Sequence, residues 1–319
     1  MGNGIIHYIK VLLSIAAFSM PWTVRAQDTC TIRTLPYFND FENVPVSSYP
    51  NAFPSCWTRI NDAIGSTNYY PCVTSSNISV IHGSKSLVWR VEPGNYYADN
   101  EYAVLPRLEG RVYDSIRALT LSFYAKTTAT EAPWPIFIVG VMASATDTSS
   151  FVAIDTITPT STAELYRVDF ATYTDTGRHI AIRSTRTAET RLASLDDLYL
   201  NLTSHWCEPP SNLSASATDS SVTIRWHGND PVSGPTFTVI LGSDTVTGVA
   251  DTFYTFNNLA DSSVYHYAVR AECPASNSIY LRGSIQTECP TLTYADLPYT
   301  EDFERSRSEE RRVGKECRS

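Results

Sequence analysis

The sequence predicts an all-β protein in which a jelly-roll β-sandwich is followed by a second, smaller β-sandwich. Short runs of alternating apolar and polar residues recur through residues 30–204, separated by turns rich in Ser, Thr, Asp and Gly. About eight such strands in about 165 residues suffice for two packed sheets with a sizeable core. From Cys207 the composition changes and a second series of alternating strands begins, which predicts a separate sandwich over residues 207–289.

Seven segments of the first domain have the length and pattern of β-strands. Apolar and polar residues alternate in residues 118–125, whereas residues 135–142 form an apolar run typical of a strand buried on both faces. No segment of this domain shows a convincing helical period. The predicted strands are residues 87–91, 118–125, 135–142, 151–157, 165–170, 179–183 and 195–200.

An octapeptide occurs twice in the chain. Residues 35–42 read LPYFNDFE and residues 297–304 read LPYTEDFE, so six of the eight positions are identical. A cysteine precedes each copy by a few residues, Cys30 in the first case and Cys289 in the second. Similarity over so long a period indicates repeated whole domains. Residues 290–306 are therefore predicted to begin a second, truncated jelly roll.

Both ends of the chain are predicted to lie outside these domains. Residues 1–26 have the features of a cleaved secretory signal, with a basic start, a short apolar run and a small-residue cleavage site. The alternative is an uncleaved anchor, but the run is shorter than the about 20 apolar residues of a spanning helix. Residues 307–319 resemble a translated sequencing adapter and are interpreted as an artefact, the alternative being a genuine basic tail.

The chain is acidic, with 33 Asp and Glu, 24 Lys and Arg, and a formal net charge of −9. An acidic surface disfavours nucleic acid and anionic membranes as partners and suits cation binding. After the signal, no run is long and apolar enough to span a membrane. Together with the predicted secretory signal, these features lead us to expect an extracellular location and an extracellular partner.

Six cysteines remain when the C-terminal tail is left out, and an even number in an exported chain favours disulfides. Six cysteines can pair in many ways, and the sequence alone does not choose among them. Positions in the predicted domains suggest one bond within a short loop, one across a hairpin and one between the ends of the first domain. These pairs are Cys56–Cys72, Cys273–Cys289 and Cys30–Cys207.

The second domain resembles a fibronectin type III domain over residues 209–287. Trp226 lies where that family has a core Trp in its second strand. Leu259 stands six residues before Tyr265, which is the spacing of a tyrosine corner. The resemblance implies an immunoglobulin-like β-sandwich, and some other small sandwich is the alternative.

The first domain resembles the cleaved-adhesin modules of the gingipain haemagglutinin regions, which also resemble MAM domains. The motifs that carry the resemblance occur in the order seen in that family: residues 35–42, 56–62, 103–106, 139–142 and 195–198. It implies a jelly roll on a bacterial surface, where such modules act in adhesion to host protein or glycan.

Four carboxylates are predicted to hold a structural Ca²⁺ ion: Asp40, Glu42, Asp196 and Asp197. The first and last strands of a jelly roll can lie side by side, which would bring these carboxylates together. Ca²⁺ takes six to eight oxygen ligands, and such a cluster is unfavourable without a cation. Related jelly-roll modules hold calcium with similar motifs. The alternatives are solvated or turn-capping carboxylates and, less favoured because no raised-pKa acid is marked, a glycosidase pair.

Aromatic residues in or near predicted loops are candidates for ligand binding: Tyr69, Tyr70, Tyr96, Tyr97 and Trp134. Their rings could stack on sugars or anchor a protein partner, and the alternative is that they cover the edges of the sandwich. Trp57 and Trp89 are assigned to the core.

The sequence contains no catalytic motif among metalloprotease, serine hydrolase, phosphate-loop and dinucleotide patterns, and its histidines are scattered. We expect a non-enzymatic adhesion or binding module that recognises host protein or glycan. One alternative is an accessory module of a larger secreted protease or glycoside hydrolase. Another is a structural spacer.

Overall fold

The computed structural model describes residues 30–46, 52–61, 70–91, 100–114, 116–185, 189–229 and 235–289. The predicted signal, the start of a second jelly roll with its octapeptide, and the C-terminal tail lie outside these residues. The described part is all-β, as predicted, and consists of two antiparallel sandwiches in sequence. Its helices are a single α-turn, Arg111–Asp114, and three short 3₁₀ turns, Ile116–Ala118, Thr148–Ser150 and Thr203–His205. None of these helices has the length or apolar character to cross a membrane.

The described part of the first domain has thirteen strands, of which eleven form the two sheets of the first sandwich. The thirteen are β1 Thr31–Ile32, β2 Tyr37–Asn39, β3 Thr58–Asn61, β4 Cys72–Thr74, β5 Ser86–Val91, β6 Asn100–Val104, β7 Arg107–Leu108, β8 Leu119–Thr127, β9 Phe137–Met142, β10 Val152–Ile157, β11 Glu164–Asp169, β12 His179–Thr185 and β13 Arg191–Leu202. One sheet has the order β10-β9-β12-β6-β3 and the other β11-β8-β13-β5-β4, with β2 also paired to β13. The short strands β1 and β7 form a separate parallel pair.

Side chains from both sheets fill the core of the first sandwich. Trp89 and Phe137 come from opposite sheets and meet edge to face, with 4.9 Å between ring centroids. Trp57 and Trp89 are both buried, as predicted. The apolar run of β9 is also covered on its outer side, where Met142 joins a small cluster with Tyr102 and Val104. The prediction of a strand buried on both faces is therefore confirmed.

Seven strands form the second sandwich in the described residues. They are β14 Ser211–Ala217, β15 Ser221–His227, β16 Thr236–Leu241, β17 Asp244–Val249, β18 Phe253–Asn257, β19 Val264–Glu272 and β20 Leu281–Gln286. The sheets have the orders β14-β15-β18 and β17-β16-β19-β20. Trp226 packs in the core against Phe237. The Tyr265 hydroxyl accepts a hydrogen bond of 3.0 Å from the Ala260 amide, so the tyrosine corner is present.

The disulfide pairing differs from the prediction at all three bonds. Cys30 is bonded to Cys56, and Cys207 is bonded to Cys273, with Cα–Cα separations of 4.7 and 5.8 Å. Cys72 is a free, buried thiol. Cys289 cannot pair with Cys273, because Cys207 already occupies that partner.

Strand geometry explains these differences. Cys72 lies within β4 and packs on the outer side of the sheet with Tyr70 and Val88, so it is not available to the loop that holds Cys56. The Cys207 side chain belongs to the core of the second sandwich, with its Sγ atom 3.6 Å from the Ala271 carbonyl oxygen. Each observed bond therefore lies within one sandwich, and none joins the two ends of the first domain.

Candidate functional site

The octapeptide strand lies beside the last strand of the first sandwich. β2 pairs antiparallel with β13, and Asn39 stands opposite Leu198 while Phe38 stands opposite Tyr199. Asp40 and Glu42 follow directly after β2, so they reach the middle of β13, where Asp196 and Asp197 lie. The side-by-side arrangement expected from the jelly-roll pattern is present.

A tight turn after β2 sets the direction of its acidic side chains. The Asn39 side chain accepts a hydrogen bond of 2.9 Å from the Phe41 amide, and Asp40 accepts one of 3.3 Å from the Glu42 amide. Phe41 has a positive φ of 59° and is buried against the Trp57 ring. Because Phe41 points into the core, its acidic neighbours are turned toward β13.

A bulge in β13 places two adjacent carboxylates in the interior. The pairing of β13 with β8 shifts between Asp196 and Tyr199, and Asp197 has a φ of 47°. Asp tolerates the left-handed region better than most residues. Asp196 is 1% exposed and Asp197 is 2% exposed. A regular strand would have sent one of these neighbours to the opposite face.

The four predicted carboxylates come together around one small cavity of about 30 Å³, which has room for about one water molecule. We call these residues and their neighbours at the cavity the acidic cluster. Its members are Asp40, Glu42, His82, Gly83, Asp196, Asp197 and Arg282. The last of these belongs to β20 of the second sandwich, so the cluster lies at the junction of the two sandwiches.

The turn that follows His82 holds the Glu42 carboxylate. Its Oε1 atom accepts hydrogen bonds from the amides of Ser84, at 2.8 Å, and Lys85, at 3.0 Å, and the Ser84 hydroxyl donates to Oε2. Gly83 has a φ of 61°, and a Cβ at this position would lie 2.3 Å from Oε1. Both the positive φ and the close approach of Glu42 therefore favour glycine at this position.

The two buried aspartates have different partners. Asp196 accepts hydrogen bonds from the His82 amide, at 3.1 Å, and from the Ser86 hydroxyl, at 2.7 Å. Burial, followed by the neighbouring charge of Asp197, raises the pKa of Asp196 to about 8. Asp197 Oδ2 contacts His82 Nδ1 at 2.8 Å and Arg282 Nε at 3.3 Å. No sequence motif marks Asp196 as an acid with a raised pKa, because that shift depends on burial in the folded chain.

Calcium binding at the acidic cluster stays a prediction. The oxygen atoms are of the type that Ca²⁺ takes. In the described residues, however, no three Asp, Glu, His or Cys side chains are arranged so as to hold a metal ion. Amide and hydroxyl donors already engage Glu42 and Asp196, and Arg282 supplies a positive charge beside Asp197. This arrangement does not fit a calcium ion unless Arg282 moves away.

The segment before β20 docks the second sandwich onto the first. Ile279 is buried in a cluster with Tyr124 and Tyr199 of the first sandwich. The Tyr199 hydroxyl donates a hydrogen bond of 3.1 Å to the Asn277 carbonyl oxygen. Residues 276–282 therefore provide apolar, polar and, through Arg282, ionic contacts across the junction.

A cleft of about 340 Å³ opens beside this junction. One wall is the outer face of the β16-β19-β20 sheet, including Ile240 and Ala268, and the other is the loop at residues 81–83. Tyr267 lies over Gly283 on the neighbouring strand, where a Cβ would come within 2.5 Å of the ring. The cleft and the acidic cluster share His82, Gly83 and Arg282.

The aromatic residues predicted to bind a ligand differ in their exposure. Tyr70 is 6% exposed and packs with Cys72 and Val88, so the expectation that its ring stacks on a ligand is wrong. Its ring covers the outer side of β4 and β5, which the loop position in the sequence did not reveal. Trp134 is 38% exposed, and ligand binding by its ring stays a prediction. Tyr69, Tyr96 and Tyr97 lie outside the described residues.

Sequence reasoning missed His82 and Arg282. The histidine precedes a Gly-Ser turn and is one of the scattered histidines. The arginine lies 85 residues from Asp197, on a strand of the other sandwich. His82 contacts Asp197 from 115 residues away within the first sandwich. No local motif indicates either of these long-range contacts, so only the folded structure identifies the two residues.

No family model matches the chain, and no curated protein matches it. Among solved structures, it is similar to the K2 cleaved adhesin domain of Lys-gingipain, with 17% identity over 52% of this chain and 99% of that chain, and a TM-score of 0.40. The K1 domain from Porphyromonas gingivalis W83 gives 14% identity, 53% and 99% coverage, and a TM-score of 0.40. The fn3 domain of human collagen alpha-1(XX) gives 21% identity, 28% and 91% coverage, and a TM-score of 0.26. The structural neighbours thus include cleaved adhesin and fibronectin type III domains, and the likeness concerns the β-sandwich fold alone.

Proposed function

We propose that this chain is a secreted or cell-surface, non-enzymatic binding module that receives an extracellular protein or glycan in the cleft between its two sandwiches. The single observation that carries the proposal is the cleft itself. Ligand sites occur preferentially at domain interfaces and have volumes of roughly 300–1,000 Å³. The cleft, at about 340 Å³, lies in that range.

The docked junction supports a binding role for the cleft. Ile279, Asn277 and Arg282 all contact the first sandwich, so the two walls of the cleft are held at a defined spacing. A site on rigid walls loses less conformational entropy when a ligand binds. Disulfides within both sandwiches suit a chain that works outside the reducing cytosol.

Two strongly perturbed groups in the described residues, Asp196 and Cys72, support binding over catalysis. Asp196 has a raised pKa but is buried and surrounded by its own hydrogen-bond donors. Burial raises the pKa of the Cys72 thiol to about 12, and a nucleophilic cysteine needs a lowered pKa and access to substrate. Neither group is placed to meet a ligand in the cleft.

The test is a binding screen with a variant that fills the cleft. The purified chain is applied to a glycan array and to a panel of extracellular-matrix proteins. Ser284→Trp places a large ring at the exposed surface of the cleft, and Gln286→Trp is the matched control, because it lies two residues along the same strand outside the lining. We expect the unchanged chain and Gln286→Trp to bind the same ligand, and Ser284→Trp to bind at least about tenfold more weakly.

Other outcomes would overturn the proposal. Silence on both panels would favour the structural spacer. Equally strong binding by Ser284→Trp would show that the ligand binds outside the cleft. Binding confined to the polymeric substrate of a secreted hydrolase would favour an accessory module of a larger enzyme.

A further inference from the structure

The polar side chains that line the cleft are hydrogen-bond donors or can become so, and none of the described lining residues is a carboxylate. The polar groups at its surface are His82, His266, Arg282 and Ser284. The whole chain carries a formal net charge of −9. The cleft surface is therefore rich in hydrogen-bond donors although the protein as a whole is acidic. Such a surface favours an anionic ligand.

Strand register places three of these groups close together. His266 stands directly opposite Ser284, and Ala268 stands opposite Arg282, in the pairing of β19 with β20. Alternate residues share one face of a strand, so all four lie on the outer face of the sheet. Directly opposite residues have Cβ atoms about 5 Å apart, and next-but-one residues about 7 Å apart. One small ligand group can therefore contact His266, Ser284 and Arg282 together.

Asp197 and Tyr280 fix the position of the Arg282 guanidinium. Its Nε atom lies 3.3 Å from Asp197, and its Cζ atom lies 5.3 Å from the centre of the Tyr280 ring. The side chain is 30% exposed. In the described residues, the structure gives its two terminal nitrogens no further hydrogen bond. Because a guanidinium carries five donors in a fixed fork, the outer edge remains able to bind a carboxylate in a bidentate manner.

We propose that the cleft binds a carboxylate-bearing ligand, with the outer edge of Arg282 on the carboxylate and with Ser284 and His266 beside it. The inference rests on the proposed function and adds the chemistry of the ligand. Ile240 and Ala268 form an apolar floor under the polar groups, which suits the ring of an acidic sugar or the methylenes of an acidic side chain. A glycan and a protein can both supply this group, and the test separates the two sources.

The test is calorimetric titration of the purified chain with four small probes. N-acetylneuraminic acid and its methyl ester represent an acidic sugar and its neutral form. N-acetylglutamic acid α-amide and N-acetylglutamine α-amide represent an acidic side chain and its neutral form, because the α-amide removes the main-chain carboxylate from both. We expect at least one acidic probe to bind at least about tenfold more tightly than its neutral counterpart, with affinity falling as salt rises. The acidic probe that binds identifies the source of the carboxylate, and equal binding of both acids supports recognition of the carboxylate alone.

Variants link that binding to the cleft. Arg282→Lys keeps the positive charge beside Asp197 but removes the planar fork, and we expect about tenfold weaker binding of the acidic probe. His266→Ala and Ser284→Ala lie away from the docking contacts and keep the test valid if Arg282→Lys misfolds; each should weaken binding about threefold or more. Gln286→Ala is the control and should change nothing.

Four results would overturn the inference. Equal binding of an acid and its neutral form would exclude recognition of the carboxylate. Unchanged binding in both His266→Ala and Ser284→Ala would place the acid elsewhere. If no acidic probe binds while the chain binds a glycan or matrix protein through the cleft, this inference fails and the proposed function stands. If the chain binds neither an acidic probe nor any ligand on the two panels, both this inference and the proposed function are wrong.

Discussion

Arg282 Nε lies 3.3 Å from Asp197 Oδ2, and this contact joins β20 of the second sandwich to β13 of the first within the acidic cluster. Asp197 is almost fully buried and also contacts His82 at 2.8 Å. A buried carboxylate that loses its cationic partner is left with an uncompensated charge. The contact is therefore expected to stabilise both the cluster and the docking of the two sandwiches.

Replacing Arg282 tests this coupling. Arg282→Gln should lower the free energy of unfolding by about 1–3 kcal/mol, a range below that of fully buried pairs because Arg282 is partly exposed. Because the substitution weakens the docking, the two sandwiches should then unfold separately, and calorimetry should show two thermal transitions instead of one. Arg225→Gln is the control, since the Arg225 guanidinium lies over the exposed Phe253 ring, on the other sheet of the second sandwich. A single unshifted transition in Arg282→Gln would contradict the expected role.

Calcium should act on the acidic cluster through Arg282. In the unchanged chain the guanidinium already lies beside Asp197, so millimolar Ca²⁺ should change the Tm little. In Arg282→Gln the carboxylates lose that charge, and Ca²⁺ should then raise the Tm, because a ligand bound only to the native state stabilises it. The additional substitution Asp197→Ala should abolish the rise. A large Tm loss on chelation in the unchanged chain would instead show that a cation occupies the cluster while Arg282 is docked.

Among the described cysteines, peptide mapping without reduction should recover Cys30 linked to Cys56 and Cys207 linked to Cys273. Cys72 should resist alkylation in the native protein, because it is buried and burial raises the pKa of its thiol to about 12. It should react once the chain is unfolded. A peptide that joins Cys56 to Cys72 would overturn this arrangement.

The second sandwich should lose stability in acid through Glu272. Hydrogen bonds from Thr238 and Thr236, with a smaller contribution from the Gly248 amide, lower the pKa of Glu272. A carboxyl group with a lowered folded-state pKa contributes stability above its unfolded value of 4.5, and that contribution is lost as pH falls through the folded pKa. Glu272→Gln should reduce the loss of stability between neutral pH and about pH 3 by less than about 1 kcal/mol, because the group is near the surface. Denaturant unfolding of both proteins over this pH range measures the difference, and parallel curves would exclude the role of Glu272.

Features that depend on residues close together in the sequence could be predicted, whereas contacts between distant residues could be predicted only where a general rule for the fold brings them together. Strand β8 was predicted from the alternation of residues 118–125, and the tyrosine corner from a six-residue spacing; both patterns are local. The neighbouring positions of β2 and β13 followed from the general rule for a jelly roll, so Asp40 and Asp197 were predicted to meet. Arg282 was missed because its contact depends on how one sandwich docks on another. The disulfides were mispredicted because loop position does not show which face of β4 carries Cys72.

The Gly83 turn offers the most direct test of how the acidic cluster is built. Gly83→Ala places a methyl group 2.3 Å from Glu42 Oε1, at a backbone φ of 61°. Gly110→Ala is a closely matched control, because Gly110 has the same φ and a Cβ added there would meet nothing within 4 Å. Both substitutions carry the strain of a positive φ, about 1–2 kcal/mol.

Gly83→Ala should cost a further 1–3 kcal/mol or so, the usual range for a forced contact, because Glu42 cannot move without losing the hydrogen bonds from Ser84 and Lys85. Adding Glu42→Ala to Gly83→Ala should cost less than Glu42→Ala costs in the unchanged chain, since the methyl group has already displaced the carboxylate. Chemical denaturation of the four proteins measures the coupling. Equal losses in Gly83→Ala and Gly110→Ala would mean that Glu42 moves freely and that the turn does not hold it.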